Sequence, residues 1–347
     1  MILVIGTGSI GERHLRCFAE TGRTGVIGCE PNPAIAEGVR ERCGVQVASS
    51  LDEALARGGW TGAVICTPAH THIPIARRCV EAGLPVLIEK PVSTSLDGVH
   101  ELLQETGRAG VAVRVAYIHR CLPVAMEAKR ILASGFPGKI LHATVVTGHD
   151  FATLRPGFEK TYFRSRATGG GCLQDALTHQ IHLLEWLAGP VRKVFCDAEN
   201  RFLSTREVED TVNITARLEG GIPASLTCNQ FQPPTECAIS LHGGEGSLRL
   251  DYHESRVGII RRDGSGWAWT AIPAEHRDAG FMRQAHAFLD AIEGKPDHLA
   301  TLEEGVQSLQ VNLCAWESHL SRREVEVPCA TKDFHETTTR PRQGETG

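Results

Sequence analysis

The 347-residue sequence has no basic excess, no long apolar run and no paired-cysteine motif. Lys and Arg total 36 against 41 Asp and Glu, a net charge of -5. No positive surplus asks for nucleic acid, and no basic amphipathic helix asks for a membrane surface. No apolar stretch reaches the ~18 residues that a spanning helix needs. Met1-Ile-Leu-Val-Ile runs straight into Gly6, without the charged, apolar and cleavage regions of a signal peptide. The twelve cysteines are scattered from Cys17 to Cys329 with no C-x-x-C. A secreted disulfide scaffold is shorter and regularly spaced, so reduced cysteines in a cytoplasmic protein are expected, most of them small core residues. There is no H-E-x-x-H and no internal repeat. What is present is 41% hydrophobic and 22% charged residues, ordinary for a globular protein, on a chain too long for one core.

The first third alternates short apolar runs with helical stretches. Ile2–Ile5, Gly25–Cys29, Ala63–Cys66, Pro85–Ile88 and Val111–Ala116 read as strands, with helices between them to about Glu20 and over Pro33–Arg42, Ile73–Ala82 and Leu96–Gly107. Buried rather than alternating strands, separated by helices, predict a doubly wound parallel sheet in an α/β domain, residues 1–118. A helix over Pro123–Ser134 follows, and then strands dominate. These are Ile140–Thr147, Val191–Cys196, Val212–Leu218, Ala224–Phe231, Glu236–His242, Ser247–Tyr252 and Val257–Arg261. Helices over Phe281–Glu293 and Leu302–Ser321 and a last strand at Glu324–Val327 complete an α+β domain, residues 119–334, on an open, mostly antiparallel sheet. Residues 335–347 are polar and expected to be disordered.

Gly6-Thr7-Gly8-Ser9-Ile10-Gly11 is a G-x-G-x-x-G that follows the first strand and opens a helix, the context such a motif requires. Gly6 allows the turn, Gly8 lets the backbone approach a pyrophosphate, and Gly11 lets the helix pack on the strand. The helix N-terminus offers free N–H groups to phosphates. Glu30 ends the second strand, nineteen residues after Gly11. A carboxylate there accepts hydrogen bonds from ribose hydroxyls and repels a 2′-phosphate, which favours NAD over NADP. An ordinary βα turn explains the glycines alone, but not the ordered set.

Two further strand ends lie at the same edge of the sheet. Cys66-Thr67-Pro68-Ala-His-Thr-His72 places Thr67, Pro68 and His72 near the cofactor, although His72 fits a water-exposed helix start equally well. Ile88-Glu89-Lys90-Pro91 places Glu89 and Lys90 beside the nicotinamide, where a lysine can hydrogen-bond a substrate hydroxyl. The bland alternative is a surface lysine paired with Glu89. Later in the chain, "GGGCLQDALTHQIH" at 169–182 leads three glycines into a helix. Asp175, His179, His182 and Trp186 fall on one stripe about 60° wide at ~100° per residue, with Leu173, Leu177, Leu184 and Leu187 opposite.

Taken in order, GTGSIG at 6–11, TPxxTH at 67–72, EKP at 89–91 and GGGxxxDxxxH at 169–179 resemble the glucose–fructose oxidoreductase / inositol dehydrogenase (Gfo/Idh/MocA) family. Arg120, Pro123, "SGFPGKI" at 134–140, "EDT" at 209–211 and "EEGVQSLQVNLCAWES" at 303–318 extend the resemblance over essentially the whole chain short of its tail. The resemblance implies NAD(P)-dependent hydride transfer at a secondary hydroxyl of a sugar, cyclitol or related polyol. It also implies a homodimer or homotetramer packed through the outer face of the C-terminal sheet. Lys90, Asp175 and His179 match the family's catalytic positions. His179 would be the general base, Lys90 would bond the reacting oxygen, and Asp175 would hold substrate. His182 stands where many members carry an acid, so the substrate differs from the usual ones.

The segment "LRPGFEKTYFRSRATGGG" at 154–171 brings Arg155, Lys160, Arg164 and Arg166 to the site helix. By frequency it is a solvated basic loop. The sharper expectation is that one or two of Arg155, Arg164 and Arg166 grip an anionic substrate group, a uronate or the phosphates of a nucleotide-linked sugar. Two rival readings stand beside the dehydrogenase. Asp175, His179 and His182 could ligate a metal. The fold could also serve a non-catalytic NAD sensor.

Overall fold

The computed structural model describes residues 1–205 and 207–329, so the polar tail at 335–347 lies outside the described residues. The first half builds β1 (Ile2–Ile5), α1 (Ser9–Glu20), β2 (Val26–Cys29), α2 (Pro33–Cys43), β3 (Val47–Ala48), α3 (Leu51–Arg57), β4 (Gly62–Ile65), α4 (His72–Glu81), β5 (Val86–Ile88), α5 (Val99–Ala109) and β6 (Val113–Val115). The strands run side by side in the order β3-β2-β1-β4-β5-β6, all parallel. Helices cover both faces because successive residues of a strand point to opposite sides. Leu3, Ile5, Ala63 and Ile65 enter one core with α4 and α5, while Ile2, Val4 and Val64 enter the other with Leu15 and Phe18 of α1. The order reverses between β1 and β4, and ligands of such sheets bind in the crevice off the strand ends at that point.

The second half builds α6 (Pro123–Ala133), β7 (Ile140–Asp150), α7 (Phe151–Leu154), α8 (Thr178–Ala188), β8 (Val191–Glu199), β9 (Thr211–Leu218), β10 (Pro223–Asn229), β11 (Phe231–Gly243), β12 (Gly246–Asp251), β13 (Arg256–Arg261), β14 (Ala268–Ala271), α9 (Ala279–Ile292), β15 (Ala300–Thr301), α10 (Leu302–Ser321) and β16 (Val325–Glu326). The sheet order is β14-β13-β12-β11-β7-β10-β9-β8-β16, antiparallel except that β10 pairs with β7 in parallel. In β9, Val212, Ile214, Ala216 and Leu218 are buried under α8 and α10, while Asn213, Thr215 and Arg217 face out. One face of this sheet is therefore open.

Four differences from the sequence expectation have local causes. β3, α3 and β14 are too short for periodicity to register. Gly98, at φ 71°, delays the helix expected from Leu96 until Val99. β11 begins at Phe231 rather than at Glu236, and its register to β7 shifts between those two residues. Residues 279–301 return to the first sheet, since α9 packs on α1 and β15 pairs with β6. Among the described residues, no helix is long and apolar enough to cross a membrane.

Candidate active site

The crevice at the switch point is lined first by glycine. Gly6 adopts φ 82°, and a Cβ there would lie 2.8 Å from Thr67 Cγ2, so the loops after β1 and β4 touch. A Cβ on Gly11 would collide with the Gly6 carbonyl oxygen. Gly8 is exposed with nothing within 4 Å of where a Cβ would stand. Ser9 is also exposed and Ile10 partly so, and no side chain caps the N-terminus of α1. Thr7 Oγ1 is buried without a partner. The cradle thus offers backbone N–H groups, an open approach and an unused hydroxyl, and it fits a pyrophosphate. Glu30, at the end of β2, accepts from Thr7 N–H (2.9 Å) and Asn32 N–H (3.1 Å), which ties the second strand to the glycine loop.

His72 is neither exposed nor turned into the crevice. Its ring is buried, with Nε2 2.8 Å from the Thr67 carbonyl and Nδ1 3.0 Å from the Pro91 carbonyl. It joins the loop after β4, which carries Pro68, to the loop after β5. Burial keeps its pKa low. Glu89 does not pair with the Lys90 ammonium. Its carboxylate lies 2.8 Å from His14 Nε2 and accepts from the Lys90 N–H at 3.1 Å.

Lys90 instead reaches across to the second half of the chain. Its Nζ donates to the Asp175 carbonyl (2.8 Å) and to Asp175 Oδ1 (3.0 Å). Tyr162 Oη donates to the same Oδ1 at 2.9 Å. Burial alone would raise the Asp175 pKa, but the Lys90 charge and the two donated bonds outweigh it and hold the carboxyl below its usual range. Burial, and then the Asp175 charge, push the Tyr162 hydroxyl above its ordinary value.

The glycine stretch at 169–171 leads not into an α-helix but into a π-helical turn, Leu173–Leu177, before α8. Each residue of a π turn advances by less than the α-helical 100°, so Asp175 is turned slightly against His179, while His179, His182 and Trp186 keep one face of α8. Asp175 meets Lys90 from the π turn. His179, in the first turn of α8, is bracketed by rings. His119 stacks on it at 4.4 Å and Tyr117 meets it edge-on at 6.0 Å. Burial first, then the charge of Lys90, push the His179 pKa well below its ordinary value. His119 is pushed down to about 4 by the same two causes, and Gln180 Nε2 lies 2.9 Å from its Nδ1.

His182 follows one turn further along α8. It is buried, stacked on Tyr117 at 4.0 Å, with Nδ1 3.1 Å from Ser308 Oγ. Ser308 in turn donates to Glu185 Oε2 at 2.8 Å, and burial raises the Glu185 pKa to about 7. Trp186, a further turn on, lies under the Arg120 and Lys129 cations at 4.8 and 4.9 Å. Asp175 is engaged by Lys90 and His182 by Ser308, and among the described residues no group of three or more His, Cys, Asp or Glu could hold a metal. The metal reading is not supported.

The basic segment at 154–171 separates its arginines. Arg166 is paired with Glu209 and lies 3.2 Å over the Trp316 ring, so its guanidinium is already engaged. Arg164 is exposed. Arg155 is exposed too, but its charge acts on His149, Tyr162 and Asp175. Sequence reasoning missed Tyr162 and His119. His119 follows the end of β6, the remaining parallel strand end at this edge, and that position is a signal that could have found it.

Sequence comparison agrees with the fold. The NAD-binding Rossmann model of the GFO/IDH/MocA oxidoreductase family matches residues 1–117, and the family's C-terminal domain model matches residues 125–249. The chain belongs to the GFO/IDH/MocA family. It is an NAD-dependent oxidoreductase. Among similar family proteins is the rhizopine catabolism protein MocA of Rhizobium meliloti, 23% identical over 318 residues, covering 90% of this chain and 93% of that one. Inositol 2-dehydrogenase of Corynebacterium glutamicum is 24% identical over 338 residues, covering 91% and 89%. The structure of a levoglucosan dehydrogenase in complex with NADH superposes with TM-score 0.85 at 20% identity, covering 94% and 98%, a likeness of fold.

Proposed function

We propose that this GFO/IDH/MocA member oxidises a secondary hydroxyl of a sugar or cyclitol, or reduces the corresponding ketone, using NAD. The observation that carries the reading is the contact of Lys90 Nζ with Asp175 Oδ1 beside a neutral, half-buried His179. MocA and the inositol and levoglucosan dehydrogenases support the substrate class by their names. Gly6, Gly8, Gly11 and the N–H groups of Ser9 and Ile10 would hold the pyrophosphate, and Glu30 the adenosine ribose. Glu30 favours NAD over NADP, because a carboxylate at the end of β2 would repel a 2′-phosphate.

Bound NAD supplies the hydride acceptor. The chain's own residues manage the proton and the oxygen. His179 is neutral near pH 7, so one ring nitrogen can take the hydroxyl proton. The Lys90 ammonium donates a hydrogen bond to the reacting oxygen while Asp175 holds that ammonium in place. Burial first, and then the same positive charge, keep the resting His179 unprotonated, so its ring is free to accept the proton. Phe195, 43% exposed on the open face of the second sheet beside Thr215, supports contact there with a second copy of the chain.

A screen of NAD reduction over cyclitols, free sugars, uronates and nucleotide sugars tests the reading, with Lys90→Ala as the blank. Turnover lost by 10²-fold or more in the variant is expected. NAD binding without turnover on any member of the panel would turn the reading toward a sensor.

A further inference from the structure

The segment from Phe151 to Thr168 crosses the mouth of the site as a strap of short turns, α7 followed by 3-10 turns at Phe158–Lys160, Tyr162–Arg164 and Arg166–Thr168. It is anchored on one side. Phe151, Phe158 and Phe163 bury against one another with centroids 4.4 to 5.8 Å apart, and Leu203 and Val208 close the cluster. Its C-terminal end is pinned by Arg166 on Glu209 and Trp316. Its centre is pinned by Tyr162 Oη on Asp175. A strap held at three points presents its remaining side chains in fixed places.

Arg155 is one of those side chains. It closes α7, with its N–H donating to the Phe151 carbonyl at 2.8 Å and its own carbonyl accepting from Phe158 N–H at 3.2 Å. The backbone is therefore fixed, while the guanidinium makes no hydrogen bond or ion pair among the described residues. Its charge acts on His149 of β7, Tyr162 on the strap and Asp175 on the π turn. None of these gives it a free anion. Asp175 is taken by Lys90 and Tyr162, and Glu159, the strap's one acid, lies 3.3 Å from Ser204 Oγ. Arg166, which sequence alone could not tell from Arg155, is excluded by its own ion pair.

We propose that the substrate carries an oxyanion, a carboxylate or a phosphate, and that Arg155 receives it when the reacting hydroxyl lies between Lys90 and His179. A planar guanidinium matches either anion through two parallel N–H donors. The proposal deepens the dehydrogenase reading and rests on it, because it supplies that reaction's substrate with a charge.

The test compares kcat/KM for matched pairs, a neutral sugar or cyclitol against its uronate and against its phosphate ester, in wild type, Arg155→Ala and Arg155→Lys. Wild type should prefer one anionic member at least 10-fold over its neutral parent. Arg155→Ala should cut that ratio at least 10-fold, mainly through KM, and Arg155→Lys should restore part of it. The preferred member tells carboxylate from phosphate. Melting temperatures of both variants should match wild type, because the side chain has no partner to lose. Turnover of neutral parents with no anionic preference overturns this inference alone. An anionic preference that survives Arg155→Ala overturns the assignment of Arg155. Turnover of neither class, with NADH bound by fluorescence, overturns the dehydrogenase reading and this inference with it.

Discussion

Acid should weaken this protein in a way that its buried histidines and one carboxyl determine. Burial keeps His119, His179 and His182 neutral in the folded chain, with His119 down to about 4 and the other two well below their ordinary value. In the unfolded chain each takes up a proton near pH 6.5. Below that pH the unfolded state binds more protons, so stability falls as pH falls. Each group costs about 1.4 kcal/mol per pH unit between its two pKa values, so lowering pH from 7 to 5.5 removes roughly 4 kcal/mol for the three. Glu185 has the opposite sign. Its folded pKa, raised by burial to about 7, lies above the unfolded value. The folded state takes the extra proton as pH falls through 7, which returns roughly 2 kcal/mol over the same interval.

The net loss is about 2 kcal/mol, with His72 and His149 adding in the same direction. At roughly 2 °C per kcal/mol for a chain of this size, the melting temperature should drop by about 4 °C between pH 7 and 5.5. Scanning calorimetry at the two pH values measures it. Glu185→Gln keeps the shape and the bond to Ser308 but removes the opposing titration, so its drop should be near twice that of wild type. Equal drops in wild type and Glu185→Gln would show that Glu185 is already ionised in the fold. No drop in either would show that the three histidines charge without unfolding, and the account of a neutral His179 would fail with them.

Gly11→Ala drives a Cβ into the Gly6 carbonyl oxygen and should raise the dissociation constant for NADH at least 10-fold by fluorescence titration, whereas unchanged affinity would place the pyrophosphate elsewhere. Glu30→Ala should lower the NAD-over-NADP ratio of kcat/KM by 10-fold or more, and a constant ratio would mean that the carboxylate acts only on the Thr7 and Asn32 N–H groups. Phe195→Asp, on the open sheet face, should reduce the sedimenting mass of the protein, and an unaltered mass would remove that face from the subunit contact.

The nucleotide end of the fold was legible because its signals are local. Each parallel strand is buried on both faces and reads as an apolar run, and the glycine turn lies within six residues of β1. Lys90 and Asp175 were legible as residue types at strand and helix ends, but their contact was not, since it joins positions 85 residues apart. The π turn was not legible, because the added backbone there leaves no trace in hydrophobic spacing. Nor was the enclosure of α8, which is covered on nearly every side. An amphipathic stripe presumes one wet face, and Gln180, His182 and Thr178 are polar residues that bond inside the protein to His119, Ser308, Tyr117 and Asn312. Tyr162 was hidden for a different reason. The Phe151–Phe158–Phe163 cluster that aims it is completed by Leu203 and Val208, which lie some forty residues further on.

The Lys90–Asp175 pair explains why charge should be read at this site as a sum. Both side chains are more than four-fifths buried. An ion pair that deep loses in desolvation much of what it gains in attraction, so stability alone is a weak reason for it. Placed beside His179, it does what an apolar pair could not: it holds an ammonium where the proposed reaction would bind a hydroxyl oxygen, and that charge adds to burial in lowering the His179 pKa. It also leaves the pair with no net charge to offer. Arg155 then stands at the mouth with its charge unanswered, while Arg166, eleven residues later, has Glu209. A neutral polyol would leave that guanidinium to water. An acidic one would complete the site, with one anion held at the strap and one hydroxyl held between Lys90 and His179.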